Sequence, residues 1–154
     1  INDAPVTIGV GPGFCAKSDC DCVIESQRGH DLGRCIYFGS AAPNTGIPGE
    51  VGGYSSERVI KSPSYGIYRE ICHIGDYVNK DDIIAYADDV PVRATISGIL
   101  RGQLRGGLRV HSGMKVADID PRAEKSHCFS ISDKARSIGG SALEAILKLG
   151  REKF

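Results

Sequence analysis

Cysteine is the residue type with the most chemistry to offer in this chain. Six occur, at 15, 20, 22, 35, 72 and 128, and His30 falls among the first four. Thiolates and imidazole are the ligand types of zinc and iron–sulfur sites. On a strand Cys20 and Cys22 would face the same way, so Cys15, Cys20 and Cys22 are geometrically able to share a metal. The Cys-x4-Cys-x-Cys spacing matches no familiar site, however, and scattered reduced thiols are favoured, with no metal assigned. A nucleophile set of Cys15, His30 and Asp31 is weaker still, because a chain with six Cys, four His and many carboxylates offers such trios by chance.

The run Gly9-Val10-Gly11-Pro12-Gly13 follows a strand-like segment with Asp31 about twenty residues beyond it, which invites a dinucleotide-binding interpretation. Its context argues against that. Phe14 stands where the last glycine should be, Pro12 lacks a donor, and Cys15 to Glu25 leads into a strand, not a helix whose N-terminus would hold a pyrophosphate. Two roles remain for Gly11 and Gly13: a sharp turn, or a nest of N–H groups for a carboxylate or phosphate. Arg28 and His30, around Gly29, and Asn44 and Thr45, before Gly46, complete the candidate ligand-binding set. Arginine and histidine hold anions or titrate near neutral pH, and neighbouring glycines let a ligand approach the backbone. Turns fixed by side-chain to backbone hydrogen bonds account for the same segments equally well.

The elements that must position these residues are dominated by an internal repeat. Residues 62–86 laid over 94–118, an offset of 32, put Gly66-Ile67-Tyr68-Arg69 over Gly98-Ile99-Leu100-Arg101 and Gly75-Asp76-Tyr77-Val78 over Gly107-Leu108-Arg109-Val110. Apolar residues at Ile67, Val78 and Ile83, and at Ile99, Val110 and Val116, fit inward-facing strand positions. Two β-units this short cannot each bury a face alone, so they are expected to pack as a quasi-two-fold flattened barrel or sandwich, closed edge to edge. The pattern is similar to the barrel-sandwich hybrid of biotinyl and lipoyl carriers. A carrier needs a lysine at the hairpin tip, and none occurs between Lys80 and Lys115, so no covalently attached cofactor is expected.

The expected fold is therefore mainly β: an N-terminal β-layer with a Gly/Pro-rich loop at 1–56, a barrel-sandwich hybrid without an attachment lysine at 57–122, and a short C-terminal helical segment at 123–154. Within the last, Ser132 to Ile138 is expected as a helical turn broken at Gly139-Gly140. Ser141-Ala142-Leu143-Glu144 then opens a helix with a capping box, Leu143, Ile146 and Leu147 form its packing stripe, and Gly150 stops it.

Composition narrows the partners. Nineteen basic residues balance nineteen acidic ones, so no global field exists to hold nucleic acid or an anionic membrane, and no stretch approaches the length needed to span a bilayer. Arg93, Arg101, Arg105 and Arg109 collect in the second repeat and Asp76, Asp81, Asp82, Asp88 and Asp89 in the first, which suggests a polarised barrel or merely a solvated face. Six Cys without a secretory signal fit reduced thiols and a cytoplasmic location, and self-association is left open. The chain begins at Ile1 rather than Met, which suggests that it was cut from something longer.

Taken together, GPGF at 11–14, VIESQRGHDLGR at 23–34, FGSAAPNTGIPGEVGGYSSERV at 38–59, LRVHSGMKVADIDPR at 108–122 and SISDKARSIGGSALEAIL at 130–147 resemble the YqeB-type accessory proteins of selenium-dependent molybdenum hydroxylase systems. The resemblance implies that the chain is the C-terminal part of such a protein, following a nucleotide-binding-like domain. It also implies a role in maturing a molybdenum hydroxylase, with that enzyme or its cofactor-handling machinery as partner and no defined active site. The function expected is a non-catalytic binding and assembly module; the alternative is a thiol-dependent sulfur or selenium transfer component acting on the molybdenum cofactor, with Cys15 or Cys20 as nucleophile. Cys35 and Cys72 stand where aliphatic residues would be unsurprising in that family.

Overall fold

Short apolar runs punctuated by glycine give short strands here, thirteen of them among the described residues, beside one α-helix and two 3-10 turns. A computed structural model describes residues 1–46 and 49–153, so Ile47 and Pro48 of the expected 41–54 loop lie outside the described residues. Contacts divide the chain into two compact units, Ile1–Gly46 with Ile131–Phe154, and Ile47–Ser130. These bounds fall at 46/47 and 130/131, where the sequence placed them at 56/57 and 122/123. Among the described residues no helix is long and apolar enough to cross a membrane.

The first unit contains β1 (Ile8–Val10), β2 (Cys15–Ala16), β3 (Cys22–Ile24), β4 (Cys35–Ile36) and β5 (Gly39–Ser40), and α1 (Asp133–Lys153). β3 is the centre of a three-stranded sheet, parallel to β1 and antiparallel to β4. All three of its residues are buried because both faces are covered. On one face Cys22 packs with Ala145 and Leu149 of α1; on the other Val23 packs with Ala16, Cys20 and Ala41.

The expected break in α1 is absent. Ser132 Oγ accepts the N–H of Ala135 at 3.2 Å, capping the helix nine residues before the expected start at Ser141, and Asp133 suits the positive end of the dipole. Gly139 and Gly140 cost about 1 kcal/mol each relative to alanine, but neither breaks a helix whose buried face is held elsewhere. That face is Ser141, Ala145 and Leu149. Ser141 Oγ donates to the Gly33 and Ser137 carbonyls, and a side chain on Gly33 would run into Ser137 and Ser141. Small residues thus bring the helix close, and the expected stripe points away: Leu143, Ile146 and Leu147 are 57%, 48% and 59% exposed.

The second unit is built from β6 (Val59–Lys61), β7 (Gly66–Glu70), β8 (Tyr77–Val78), β9 (Ile83–Ala87), β10 (Val90–Arg93), β11 (Gly98–Gln103), β12 (Arg109–Val110) and β13 (Lys115–Asp120). The offset of 32 relates β7 to β11, β8 to β12 and β9 to β13, and the two sheets have corresponding orders, β10-β9-β7-β12 and β6-β13-β11-β8. Each half therefore lends strands to the other's sheet. The exchange is reciprocal to the atom: Gly75 N donates to Leu100 O and Gly107 N to Tyr68 O, both at 2.8 Å, while Leu100 N donates to Asp76 O and Tyr68 N to Leu108 O.

The sheets are open, and no closed barrel is found among the described residues. β10 is an edge strand that carries Pro91, which has no N–H to offer a further neighbour. Tyr68, Ile84, Leu100, Val116 and Ile119 form the core between the halves. Ile67, expected to face inward, is 41% exposed, and Tyr68 takes the interior position instead.

Gly66 and Gly98, at φ +155° and +154°, mark the same point of the two halves, where the chain at the end of β9 (Ala87, Asp88) and of β13 (Ile119, Asp120) leaves no room for a Cβ. At Gly98 a Cβ would run into the Asp120 carbonyl. Gly98→Ala is expected to destabilise the 47–130 unit by about 2 kcal/mol or more, read as a lower denaturation midpoint at unchanged m.

Candidate functional site

β1 and β3 are parallel, so the loops leaving their carboxyl ends, 11–14 and 25–34, begin side by side. That is the end of an open sheet where ligands bind most often. Gly11 sits there at φ +76°, and a side chain on it would strike Ser26. Its N–H is spent on Ile24 O at 2.8 Å, so Gly11 ties the loop to the sheet and does not contribute to an anion nest. Gly13, at φ +101°, has open space where a side chain would begin.

The organising group is Glu25, which the sequence did not single out. It is buried, and its two oxygens accept the N–H of Gln27 and of Ala42, each at 2.7 Å, pinning the start of the 41–46 segment to the end of β3. Burial alone would raise its pKa, but the N–H groups of Ala42, Gln27 and Ser26 outweigh it and hold the carboxyl below its ordinary value. The only trace of this in the sequence is a charged residue ending the apolar run Val23-Ile24-Glu25; the partner 17 residues on is visible only in the fold.

The remaining candidates are placed as follows. Arg28 makes a bidentate pair with Asp133, at 2.7 and 2.8 Å, fastening the 25–34 loop to the start of α1. The Arg28 guanidinium, followed by the Lys134 N–H, holds the Asp133 carboxyl well below the usual range. His30 is exposed. Asn44 Oδ1 accepts the N–H of Gly46 at 3.0 Å, so this side chain closes its own turn. Thr45 is exposed as well. Arg28 and Asn44 thus have structural duties, although all five of Gly13, Arg28, His30, Asn44 and Thr45 are exposed.

Two of the thiols, Cys20 and Cys22, are buried, and the other four are half-buried. Cys22 is fully buried beneath α1, and burial, with Cys35 beside it, pushes its pKa up to about 12. Cys35 is raised by burial and by Glu144, and its Sγ donates to Ser141 O at 3.3 Å. Cys72 is raised by burial as well. Such thiols stay protonated at neutral pH and act as packing. Cys20 is buried and donates to Cys22 O at 3.2 Å, whereas Cys15 is half-buried. Among the described residues no three His, Cys, Asp or Glu side chains form a group able to hold a metal ion.

In the second unit the strongest electrostatic feature is Asp120, 1% exposed, which accepts Arg122 Nε at 2.9 Å and Nη2 at 2.6 Å and Arg101 Nη1 at 3.2 Å. The Arg122 guanidinium, against the cost of burial, lowers its pKa to about 2. Arg101 therefore serves a carboxylate of its own half rather than the acidic residues of the other.

No protein-family model matches the chain. Over 146 residues, 95% of its length, it is 49% identical to a protein of Escherichia coli (strain K12) described as uncharacterized, YqeB. The chain is YqeB-like nearly throughout. It spans 27% of the length of that relative. Among solved structures, an aspartoacylase family protein from Mesorhizobium loti and the ectoine utilization protein EutE (DoeB) from Ruegeria pomeroyi each align with 42% of the chain at a TM-score of 0.37, with 22% and 24% identity. They cover 25% and 22% of their own lengths, and at that level neither bears on fold or function.

Glu25→Gln removes the charge from a buried acceptor of two N–H groups and is expected to cost about 1.5–3 kcal/mol. Because the folded pKa is depressed, the contribution is complete above the unfolded pKa of about 4.3 and is lost as pH falls through the lower folded value. Thermal unfolding of the two proteins should differ at pH 7 and converge as the pH falls below the folded pKa of Glu25.

Proposed function

We propose that the chain is a non-catalytic binding and assembly module of a maturation protein for a selenium-dependent molybdenum hydroxylase. The observation that carries the binding role is the outward face of α1. Leu143, Ile146 and Leu147, about half exposed each, lie together on a helix whose opposite side is already packed on the sheet. A contiguous apolar face left in water costs solubility and is the usual mark of a protein interface. The hydroxylase as partner rests on the sequence resemblance, carried by strings that include α1 itself at 130–147. The cofactor-handling machinery is the second protein class that could meet this face.

Replacing Leu143, Ile146 and Leu147 together by Ser should weaken binding of the apo-hydroxylase about tenfold or more, while far-UV circular dichroism and the thermal midpoint stay near those of the parent. Undiminished binding by the triple variant contradicts the role given to α1. Cys15→Ala with Cys20→Ala should leave hydroxylase activation in place; its abolition in a folded double variant would favour sulfur or selenium transfer by a thiol instead.

A further inference from the structure

The quasi-two-fold relation gives the 47–130 unit two equivalent faces, one covered and one bare. On the covered face the chain that follows β13 folds back over it. A 3-10 helix, Lys125–Cys128, packs on β11; Cys128 Sγ donates to Leu100 O at 3.9 Å, and His127 Nδ1 stands 3.9 Å from Asp120 Oδ2. A side chain on Gly75 would meet Lys125 Cε at 3.1 Å and the Phe129 ring at 3.4 Å. Residues 122–129 are thus a cover over Asp120 and Gly75, anchored by Arg122 at one end, while at the other Phe129 rests only the edge of its ring beside Gly75 and is 71% exposed.

The offset of 32 gives the other face: Asp88 for Asp120 and Ile67 for Ile99 by subtraction, and Gly107 for Gly75 by addition, since each face draws on both halves. Here the chain turns straight from Asp88 and Asp89 into β10, with no returning segment among the described residues. Ile67 is 41% exposed where Ile99 is 5%, Asp88 and Gly107 lie open where their counterparts are buried, and no atom stands within 4 Å of where a Gly107 side chain would begin. A cleft of about 530 Å3 results, lined by Tyr65, Ile67, Asp88, Arg109 and His111. Its carboxylate, Asp88, accepts the N–H of Ile67 at 2.7 Å. Arg69, the counterpart of Arg101, lies over the Tyr86 ring at 4.9 Å, and among the described residues Asp88 takes part in no ion pair.

We propose that the Asp88 face is the docking site for a short segment of a partner protein, bound as residues 122–129 bind the Asp120 face. The segment carries an arginine for Asp88 and, seven residues later as Phe129 follows Arg122, an aromatic side chain for the open surface at Gly107. Arg109 on the opposite wall takes a carboxylate from the same segment. A second copy of the chain is the poorer occupant, since its own 122–129 segment is already in use and its release would strip the buried Asp120 of Arg122, leaving it Arg101 alone. This docking is independent of what α1 binds.

The probe is a labelled synthetic peptide with the sequence of residues 121–130, carrying Cys128→Ser, titrated into the intact protein by fluorescence anisotropy. Saturable binding is expected, weakened about tenfold or more by Asp88→Asn in the protein or Arg122→Ala in the peptide, with backbone amide shifts at Ile67, Gly107 and Arg109. Asparagine tolerates the φ of +51° at this position and keeps an acceptor for the Ile67 N–H, so the variant is expected to fold. Four results overturn the proposal: no saturation up to about 1 mM, equal affinity for Asp88→Asn, shifts centred on Ile99 and Asp120, or a dimer that Asp88→Asn dissociates, which would make a second copy the occupant.

Discussion

Reciprocal hydrogen bonding between the two halves of the repeat is the constraint on which the 47–130 unit depends. Neither half owns a complete sheet: each β7-like strand finds one neighbour in its own half and another in the opposite one, and the bonds from Gly75 to Leu100 and from Gly107 to Tyr68 are the same bond made twice. A half on its own would expose Tyr68 or Leu100, both fully buried, and leave unpaired the backbone groups that the partner half satisfies. Glycine at 66, 75, 98 and 107 follows from this intertwining, because the chain must turn at positive φ wherever it crosses from one sheet to the other.

A symmetric frame with an asymmetric sequence leaves one end finished and the other open. Asp120 and Asp88 occupy equivalent places, yet only Asp120 has a following segment free to return over it, and only there do arginines gather around the carboxylate. In the 1–46 and 131–154 unit the same economy is reached with small residues. Ser141, Ala145 and Gly33 let α1 approach the β1-β3-β4 sheet closely, and the bulkier Leu143, Ile146 and Leu147 are thereby turned to solvent. Both units keep a bare surface beside a well-anchored one.

The repeat was legible because its glycines are set by backbone geometry, and geometry leaves its mark at fixed spacing. Closure was not legible: whether two short sheets join at their edges depends on bulges and on an edge proline such as Pro91, whose effect appears only once its strand has a neighbour. The α1 errors share one cause. Gly139-Gly140 looks like a break and Leu143, Ile146 and Leu147 like a buried stripe only when propensity and hydrophobicity are weighed without the sheet that selects the small-residue face. Glu25 and Asp120 escaped notice because a lone carboxylate gives no local sign of the backbone donors or arginines that will surround it. Of the candidate site, the turn roles of Gly11 and Asn44 were foreseen as alternatives, while the Arg28 pair with Asp133, 105 residues away, belongs wholly to the tertiary fold.

Native-state hydrogen exchange of the Tyr68 and Leu100 amides tests the intertwined frame most directly, since their acceptors, Leu108 O and Asp76 O, each lie in the opposite half. If the halves stand or fall together, both amides exchange only through unfolding of the whole 47–130 unit, with equal opening free energies and equal denaturant dependence. Exchange of one amide at markedly lower free energy, with a shallower dependence on denaturant, would mean that one half opens while the other persists, and would contradict the account.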